Sequence, residues 1–182
     1  MKKFIVLEGL SGVGKTTIAE ILSREIKAVL LKPSAYWTSD EIREEINRDE
    51  CIESQYFFYL AVCAKASYET SKIIRISNVV CDRYILTNIC HFNAMGCKIK
   101  IPLKYFDGLI QPDFTFLITC NEDKRLKRLS IRGLSFTDKR ERKLNLDEKI
   151  LREYKNFPLI EVDNSENDPM IAVKNIISVI GG

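Results

Sequence analysis

Phe4-Ile5-Val6-Leu7-Glu8-Gly9-Leu10-Ser11-Gly12-Val13-Gly14-Lys15-Thr16-Thr17 joins a short apolar run, a glycine-rich turn and the start of a helical pattern. The turn fits G-x-x-x-x-G-K-[ST] at Gly9, Gly14, Lys15 and Thr16. Each residue type has a physical task. Glycines let the loop wrap until successive backbone N–H groups point inward. The following helix offers its positive N-terminal end to an anion. Ser11, Gly12, Val13, Gly14, Lys15, Thr16 and Thr17 are therefore expected to cradle the phosphates of ATP. In such a loop Lys15 reaches the β- and γ-phosphates and the Thr16 hydroxyl ligates Mg²⁺.

The chain beyond this loop alternates short apolar runs with helical patterns. Strands are expected at Phe4–Leu7, Ala28–Leu31, Asn78–Cys81, Phe114–Cys120 and Leu159–Val162. Helices are expected at Thr16–Ile26, Asp40–Arg48, Cys51–Ile74, Leu86–Met95, Glu122–Ile131, Leu146–Tyr154 and Pro169–Ile180. Strands alternating with helices imply a parallel sheet covered on both faces. The strands are apolar and mostly non-alternating, as buried parallel strands are. The fold class is thus α/β, a three-layer P-loop NTPase fold with a five-stranded parallel sheet. No repeat or linker-like stretch divides residues 1–182, so one domain is expected. Ligands on such sheets bind beyond the carboxyl ends of the strands.

Composition excludes several other classes. The chain is 46% hydrophobic and 29% charged, which rules out collagen-like and disordered chains. Its formal charge is only +3, no footprint for coating nucleic acid. No stretch approaches the ~20 apolar residues of a membrane span, and Glu8 interrupts the apolar run that a signal peptide would need. The six cysteines form no C-x-x-C pair, and His91 is the single histidine, so a Cys/His zinc site is not expected. Reduced thiols and a cytoplasmic location follow from this pattern.

The third strand runs into Asp82-Arg83-Tyr84. A carboxylate leaving the sheet beside the phosphate loop can support Mg²⁺ or take a proton from an attacking oxygen. An arginine there can clamp a phosphate with its planar fork of donors. The same pair also fits a helix N-cap with a surface arginine, and spacing alone leaves both open.

Phe4 through Thr17, Cys81-Asp82-Arg83-Tyr84, Gln111-Pro112-Asp113-Phe114-Thr115 and Val162-Asp163-Asn164-Ser165 together resemble the thymidylate kinase family, in order and spacing along most of the chain. The resemblance implies a nucleoside-monophosphate-kinase-like fold, dependence on ATP and Mg²⁺, and a homodimer. It implies that Arg83 grips the phosphate of a small-molecule acceptor and that Asp82 supports the metal or the reacting oxygen. Three stretches depart from the family pattern. Leu31 to Trp37 replaces Arg-Glu-Pro-Gly-Gly, Ala61 to Lys65 lacks Ala-Asp-Arg, and Cys90-His91-Phe92 stands where Ala-Tyr-Gln is usual. The donor half matches; the acceptor half diverges.

Residues 124–143 carry a net +7, whereas the rest of the chain carries −4. A solvated helix face, an Asp/Arg-laced loop and a nucleic-acid patch are alternatives; against the last, Phe136 is the only aromatic residue interleaved. Kinases of the resembling type carry arginines on a mobile lid after the fourth strand. Phosphoryl transfer spreads negative charge over the equatorial oxygens, and the loop itself holds no arginine to meet it. Arg128, Arg132 and Arg140 are therefore expected on a basic lid spanning about 124–143. The family pattern puts Arg128 against adenine. The Tyr56–Tyr59 run reads as core and acceptor-pocket wall rather than as a cofactor box. Trp37 reads equally as stacking on a base or as packing, and His91 as a structural residue ahead of an acid-base group. Glu8 reads either as a general base or as a structural partner of the loop.

The expected activity is ATP-dependent phosphoryl transfer to a nucleoside monophosphate, thymidylate first. The expected catalytic set is Lys15, Asp82, Arg83, Arg132 and Arg140, with Thr16 and Asp82 on the metal. A kinase of nucleosides or another small hydroxylated molecule is the alternative. A P-loop ATPase or regulatory nucleotide-binding module without acceptor is a third.

Overall fold

In a computed structural model that describes residues 1–181, five parallel strands form one sheet in the order β2-β3-β1-β4-β5. In chain order the elements are β1 (Phe4–Glu8), α1 (Lys15–Glu25), β2 (Val29–Leu31), α2 (Pro33–Trp37), α3 (Asp40–Arg48), α4 (Ile52–Ile73) and β3 (Val79–Asp82). They continue with α5 (Ile85–Ala94), a 3₁₀ turn at Leu103–Phe106, β4 (Phe114–Thr119), α6 (Glu122–Arg132) and α7 (Phe136–Lys143). The chain ends with α8 (Asp147–Tyr154), β5 (Ile160–Asp163) and α9 (Pro169–Gly181).

Strand pleating explains the two-sided core. Ile5, Leu7 and Val80 point to one face and pack with Ile18 and Leu22 of α1, Ile150 of α8 and Ile176 of α9. Phe4, Val6, Val79 and Cys81 point to the other and pack with Cys63 and Ala66 of α4 and Ile89 of α5. Both faces are covered, so β1 is buried along its whole length. The two edge strands are less covered: β2 leaves Val29 exposed and β5 leaves Ile160 exposed.

Order and register place the chemistry. Leaving β1, the chain runs first to the β3–β2 side and later crosses to β4, so β1 sits at the switch point, where α/β sheets bind ligands. Leu7 pairs with Asp82, and Glu8 with Leu117, so the phosphate loop and Asp82 leave the same edge of the sheet. At the opposite edge, Asp113 accepts from Phe4 N at 2.7 Å and donates its own N–H to Phe4 O. The Gln111-Pro112-Asp113 stretch thus anchors the start of β1.

Expected and observed elements agree to within a residue or two, with three additions. The basic connection contains a helix, α7, started by a capping box between Ser135 and Asp138. Its eight residues include four basic ones, so charge masked the helical signal. Helix α2 begins on Pro33, a favoured first position, but its five residues show no periodicity. The 3₁₀ turn is shorter still. Asp82 is the last residue of β3, and Tyr84 caps α5, so Asp82 is not a helix N-cap.

Candidate active site

Helix α1 begins after Gly14 at φ 95°, and its first turn has neither a side-chain cap nor a carboxylate. Its first N–H groups therefore remain donors for an anion. Gly9 has φ 137°, and a side chain there would strike the carbonyl of Ile118 on the neighbouring strand. The loop closes on itself: Lys15 Nζ donates to Leu10 O at 2.6 Å. It is also fixed from outside. Asn164 Nδ2 donates to Val13 O at 2.8 Å, and Arg128 Nη1 donates to the same carbonyl at 3.2 Å. Burial, with Arg83 adding repulsion, pushes the Lys15 ammonium down to about 7. A group so desolvated gains strongly when an anion arrives.

Across this loop lies a cleft of about 960 Å³, lined by Gly12, Lys15, Thr16, Asp82, Arg128 and Arg132 among others. Thr16 Oγ1 donates to Asp82 Oδ2 at 2.6 Å, while Asp82 Oδ1 is buried without a partner. A hydroxyl oxygen beside an orphaned carboxylate oxygen suits Mg²⁺, which takes oxygen ligands and is completed by phosphates and water. Among the described residues no group of three or more His, Cys, Asp or Glu converges. A tightly caged transition metal has no place here, whereas a phosphate-held ion needs few protein ligands.

Arg83 occupies the left-handed region at φ 73°, held there by its N–H bond to Leu7 O at 3.0 Å. That turn swings the side chain back toward the phosphate loop, where Nη1 donates to Gly9 O at 3.1 Å. Glu8 is fully buried beneath the turn. It accepts from Tyr84 N at 3.1 Å, from the Thr87 hydroxyl and from Tyr154 OH at 3.2 Å. Its lone pairs are spent on the cap and first turn of α5 and on α8, so Glu8 is the structural partner and no base toward the cleft.

The basic segment divides. Arg128 and Arg132 line the large cleft. The edges of Arg128 are spent on Val13 O, Cys120 Sγ, Asn164 O and Glu166 O, which leaves its planar face for stacking. Arg132 donates to Asp138 Oδ2 at 2.6 Å. Arg140 differs from expectation. It is not on the phosphate cleft but donates to Gln55 Oε1 at 2.9 Å and Asn47 O at 3.0 Å, because α7 turns that face toward α3 and α4. Arg125 is buried against Glu122 and Asp147, so part of the segment's charge is neutralised internally.

A second cavity, about 270 Å³, opens beside the first. The two share Asp82, Arg83, Ser34 and Arg43 along their boundary. Tyr59, Val62, Phe92 and Met95 give the smaller one an apolar wall, and His91, Arg140 and Glu141 supply polar groups. His91 Nδ1 lies 3.0 Å from Glu141 Oε1. Burial would raise the Glu141 carboxyl, but the His91 bond and charge, helped by Arg83, outweigh it and hold Glu141 below its ordinary value. Trp37 packs with the α4 face of the core, and Lys65 sits 5.9 Å from its ring. Of the Tyr56–Tyr59 run, Tyr56 is core, Phe57 is exposed and Tyr59 alone faces this cavity.

Several site residues were hidden from sequence reasoning. Arg43 donates to Ser34 O at 2.6 Å and lines both cavities, yet on α3 it looks like any charge of a solvated helix. Glu141 lay inside a run read as basic. Asn164 alone had a signal, the Val162-Asp163-Asn164-Ser165 stretch after the last strand.

The family model for thymidylate kinase matches residues 7–173. The chain is 30% identical over 172 residues to a probable thymidylate kinase of Methanococcus maripaludis, covering 92% of this chain and 81% of that one. It is 27% identical over 148 residues to the thymidylate kinase of Rickettsia typhi, with 73% and 72% covered. Among solved structures, the thymidylate kinase of Candida albicans superposes with a TM-score of 0.77 at 17% identity, over 99% of this chain and 91% of that one. A deoxyadenosine kinase from M. mycoides with bound dATP gives 0.73 at 16% identity, over 98% and 100%. At these identities the structural likeness speaks for the fold.

Proposed function

This chain belongs to the thymidylate kinase family, and from that premise we propose that it transfers the γ-phosphoryl group of ATP to thymidylate, giving dTDP and ADP. The observation that carries the proposal is the junction of two cavities at Asp82 and Arg83. The larger cleft has the volume and the donors for a nucleoside triphosphate. The smaller suits one planar ring, being below the usual ~300 Å³ of a drug-sized pocket. An acceptor seated there meets the donor at the shared boundary, where in-line transfer requires it.

The chain's own residues supply positioning and charge. The loop N–H groups and Lys15 hold the donor's β- and γ-phosphates. Arg83 and Arg43 face the acceptor's phosphate, and Arg132 faces the charge that develops during transfer. Arg128 lies against the base of the donor. Thr16 and Asp82 would hold Mg²⁺, which neutralises charge between the β- and γ-phosphates. A monophosphate acceptor needs no strong base, because its attacking oxygen is already ionised near neutral pH. The burial of Glu8 accords with this and weighs against a nucleoside acceptor, whose hydroxyl must lose a proton.

We also propose a single kinase domain with residues 124–143 as its basic lid, acting in the cytoplasm as a homodimer. Exposed Phe57 and Tyr68 on α4 offer apolar surface for pairing. Among the described residues no helix is long and apolar enough to cross a membrane. The test is ADP release measured across nucleosides, nucleoside monophosphates and unrelated alcohols, with an acceptor-free control. Release with thymidylate supports the proposal; release with nucleosides only, or without acceptor, contradicts it.

A further inference from the structure

Arg132 is the last residue of α6, and Gly133 follows it at φ 86° with no neighbour within 4 Å of where a side chain would sit. The Arg132 side chain is 55% exposed. A long cationic side chain at a helix end, next to a glycine, has many rotamers and nothing of its own to keep it over the phosphate cleft. Asp138 holds it there. The bond from Arg132 Nη2 to Asp138 Oδ2 takes one edge of the guanidinium and leaves other donors for the cleft that Arg132 lines.

Asp138 is itself firmly fixed. It is 3% exposed, and the same Oδ2 accepts from Ser135 N at 2.9 Å and from Ser135 Oγ at 2.7 Å. Burial would raise its carboxyl, but the Ser135 hydrogen bonds, the Arg132 charge and Ser11 outweigh it and hold Asp138 below its ordinary value. It therefore stays an anion opposite Arg132. Helix α7, which carries it, is docked along its length. Arg140 reaches Gln55 and Asn47, Glu141 meets His91, and Arg48 and Arg140 each lie within 6.0 Å of the Phe136 ring centroid. A capping box needs only its two reciprocal bonds, so the pairing with Arg132 is additional to it.

We propose that Asp138 is a positioning residue for transfer: it holds Arg132 over the phosphate being transferred, and docked α7 holds Asp138. This rests on the phosphoryl transfer proposed above and names the group through which the lid presents its charge. The ordering of the arginine is met in folding rather than during the reaction. Arg132 faces charge that develops only in the transition state, so losing its position lowers kcat and leaves the KM values nearly unchanged.

The experiment is a double-mutant cycle in kcat and KM for ATP and dTMP, with Asp138→Asn, Arg132→Gln and the two together. Arg132→Gln should lower kcat by about 10²-fold or more. Asp138→Asn should lower it about tenfold, with both KM values within about twofold. In the Arg132→Gln background, Asp138→Asn should add no more than about a twofold loss, because its effect passes through the missing arginine. Asp138→Glu keeps the charge but shifts it by one methylene, and it supplies the same cycle if the amide variant folds poorly. Ser135→Ala weakens the cap and spares the Asp138–Arg132 pair, so its kcat should stay within about threefold of the wild type. Additive losses in an active kinase, or equal losses in Ser135→Ala and Asp138→Asn, make Asp138 a helix cap alone and overturn the inference. A wild type that phosphorylates no nucleoside monophosphate overturns the parent reading, and this inference with it.

Discussion

Thr16 Oγ1 donates to Asp82 Oδ2 at 2.6 Å and so ties the first turn of α1 to the end of β3, across 66 residues of sequence. The bond holds both groups at one point of the sheet edge and leaves Asp82 Oδ1 free for a cation. Asp82→Asn keeps the shape but replaces an anionic acceptor with a neutral amide. The Mg²⁺ concentration for half-maximal rate should rise by about 10-fold or more. A magnesium titration of ADP release checks this, and an unchanged midpoint would remove Asp82 from the metal.

Lys15 leads to a proton-linkage prediction. Its ammonium is pushed down to about 7 in the free protein, mainly by burial. A polyphosphate beside it favours the charged form, so the bound state holds more protons than the free state between about 7 and the higher bound value. Binding therefore takes up a proton, and affinity falls as pH rises above about 7. At pH 8.5 the phosphates of ADP are already ionised (second pKa about 6), so uptake approaching about one proton per ADP reports on Lys15. Calorimetry in two buffers of different ionisation enthalpy measures it. Lys15→Met should abolish the uptake, and transfer should fall by a factor of about 10³ while the fold is kept.

Arg83 faces both cavities, so its truncation should be felt on the acceptor side. Arg83→Ala should raise the KM for dTMP by about 10- to 100-fold, the loss of a charge-assisted phosphate contact. The KM for ATP should change little. Equal effects on both substrates in steady-state kinetics would make Arg83 a structural clamp on Gly9.

Glu8 separates a structural carboxylate from a catalytic one. Glu8→Ala leaves Tyr84 N–H and Tyr154 OH without their buried acceptor and should cost about 3–5 kcal/mol in denaturant unfolding. Glu8→Gln retains an acceptor and should keep transfer within about threefold, against a 10²- to 10⁴-fold loss expected of a general base. A loss of that size in a folded Gln variant would return Glu8 to the chemistry.

The donor side was legible because its chemistry is local. Gly9 to Thr17 forms one turn, and the strand before it and the helix after it are written in adjacent residues. Asp82 and Arg83 became legible through their place at the end of an apolar run. The acceptor side was not, because its cavity joins Asn47, Tyr59, His91 and Arg140 from four helices, and no one segment shows which residues of the others it meets. The direction of Arg140 was set by tertiary contact: a basic residue in a basic segment gave no sign that Gln55 and Asn47 would claim it. Nor did a sum of charge reveal that Arg125 spends its own on Glu122 and Asp147.

The central claim is that the phosphoryl group passes from ATP to a nucleotide seated at Arg83. The most direct measurement follows the label from γ-³²P-ATP in the presence of Mg²⁺ and dTMP. Label recovered on dTDP, in amounts equal to the ADP formed, is the predicted result. Label recovered as inorganic phosphate, or ADP formed at the same rate without dTMP, would contradict it.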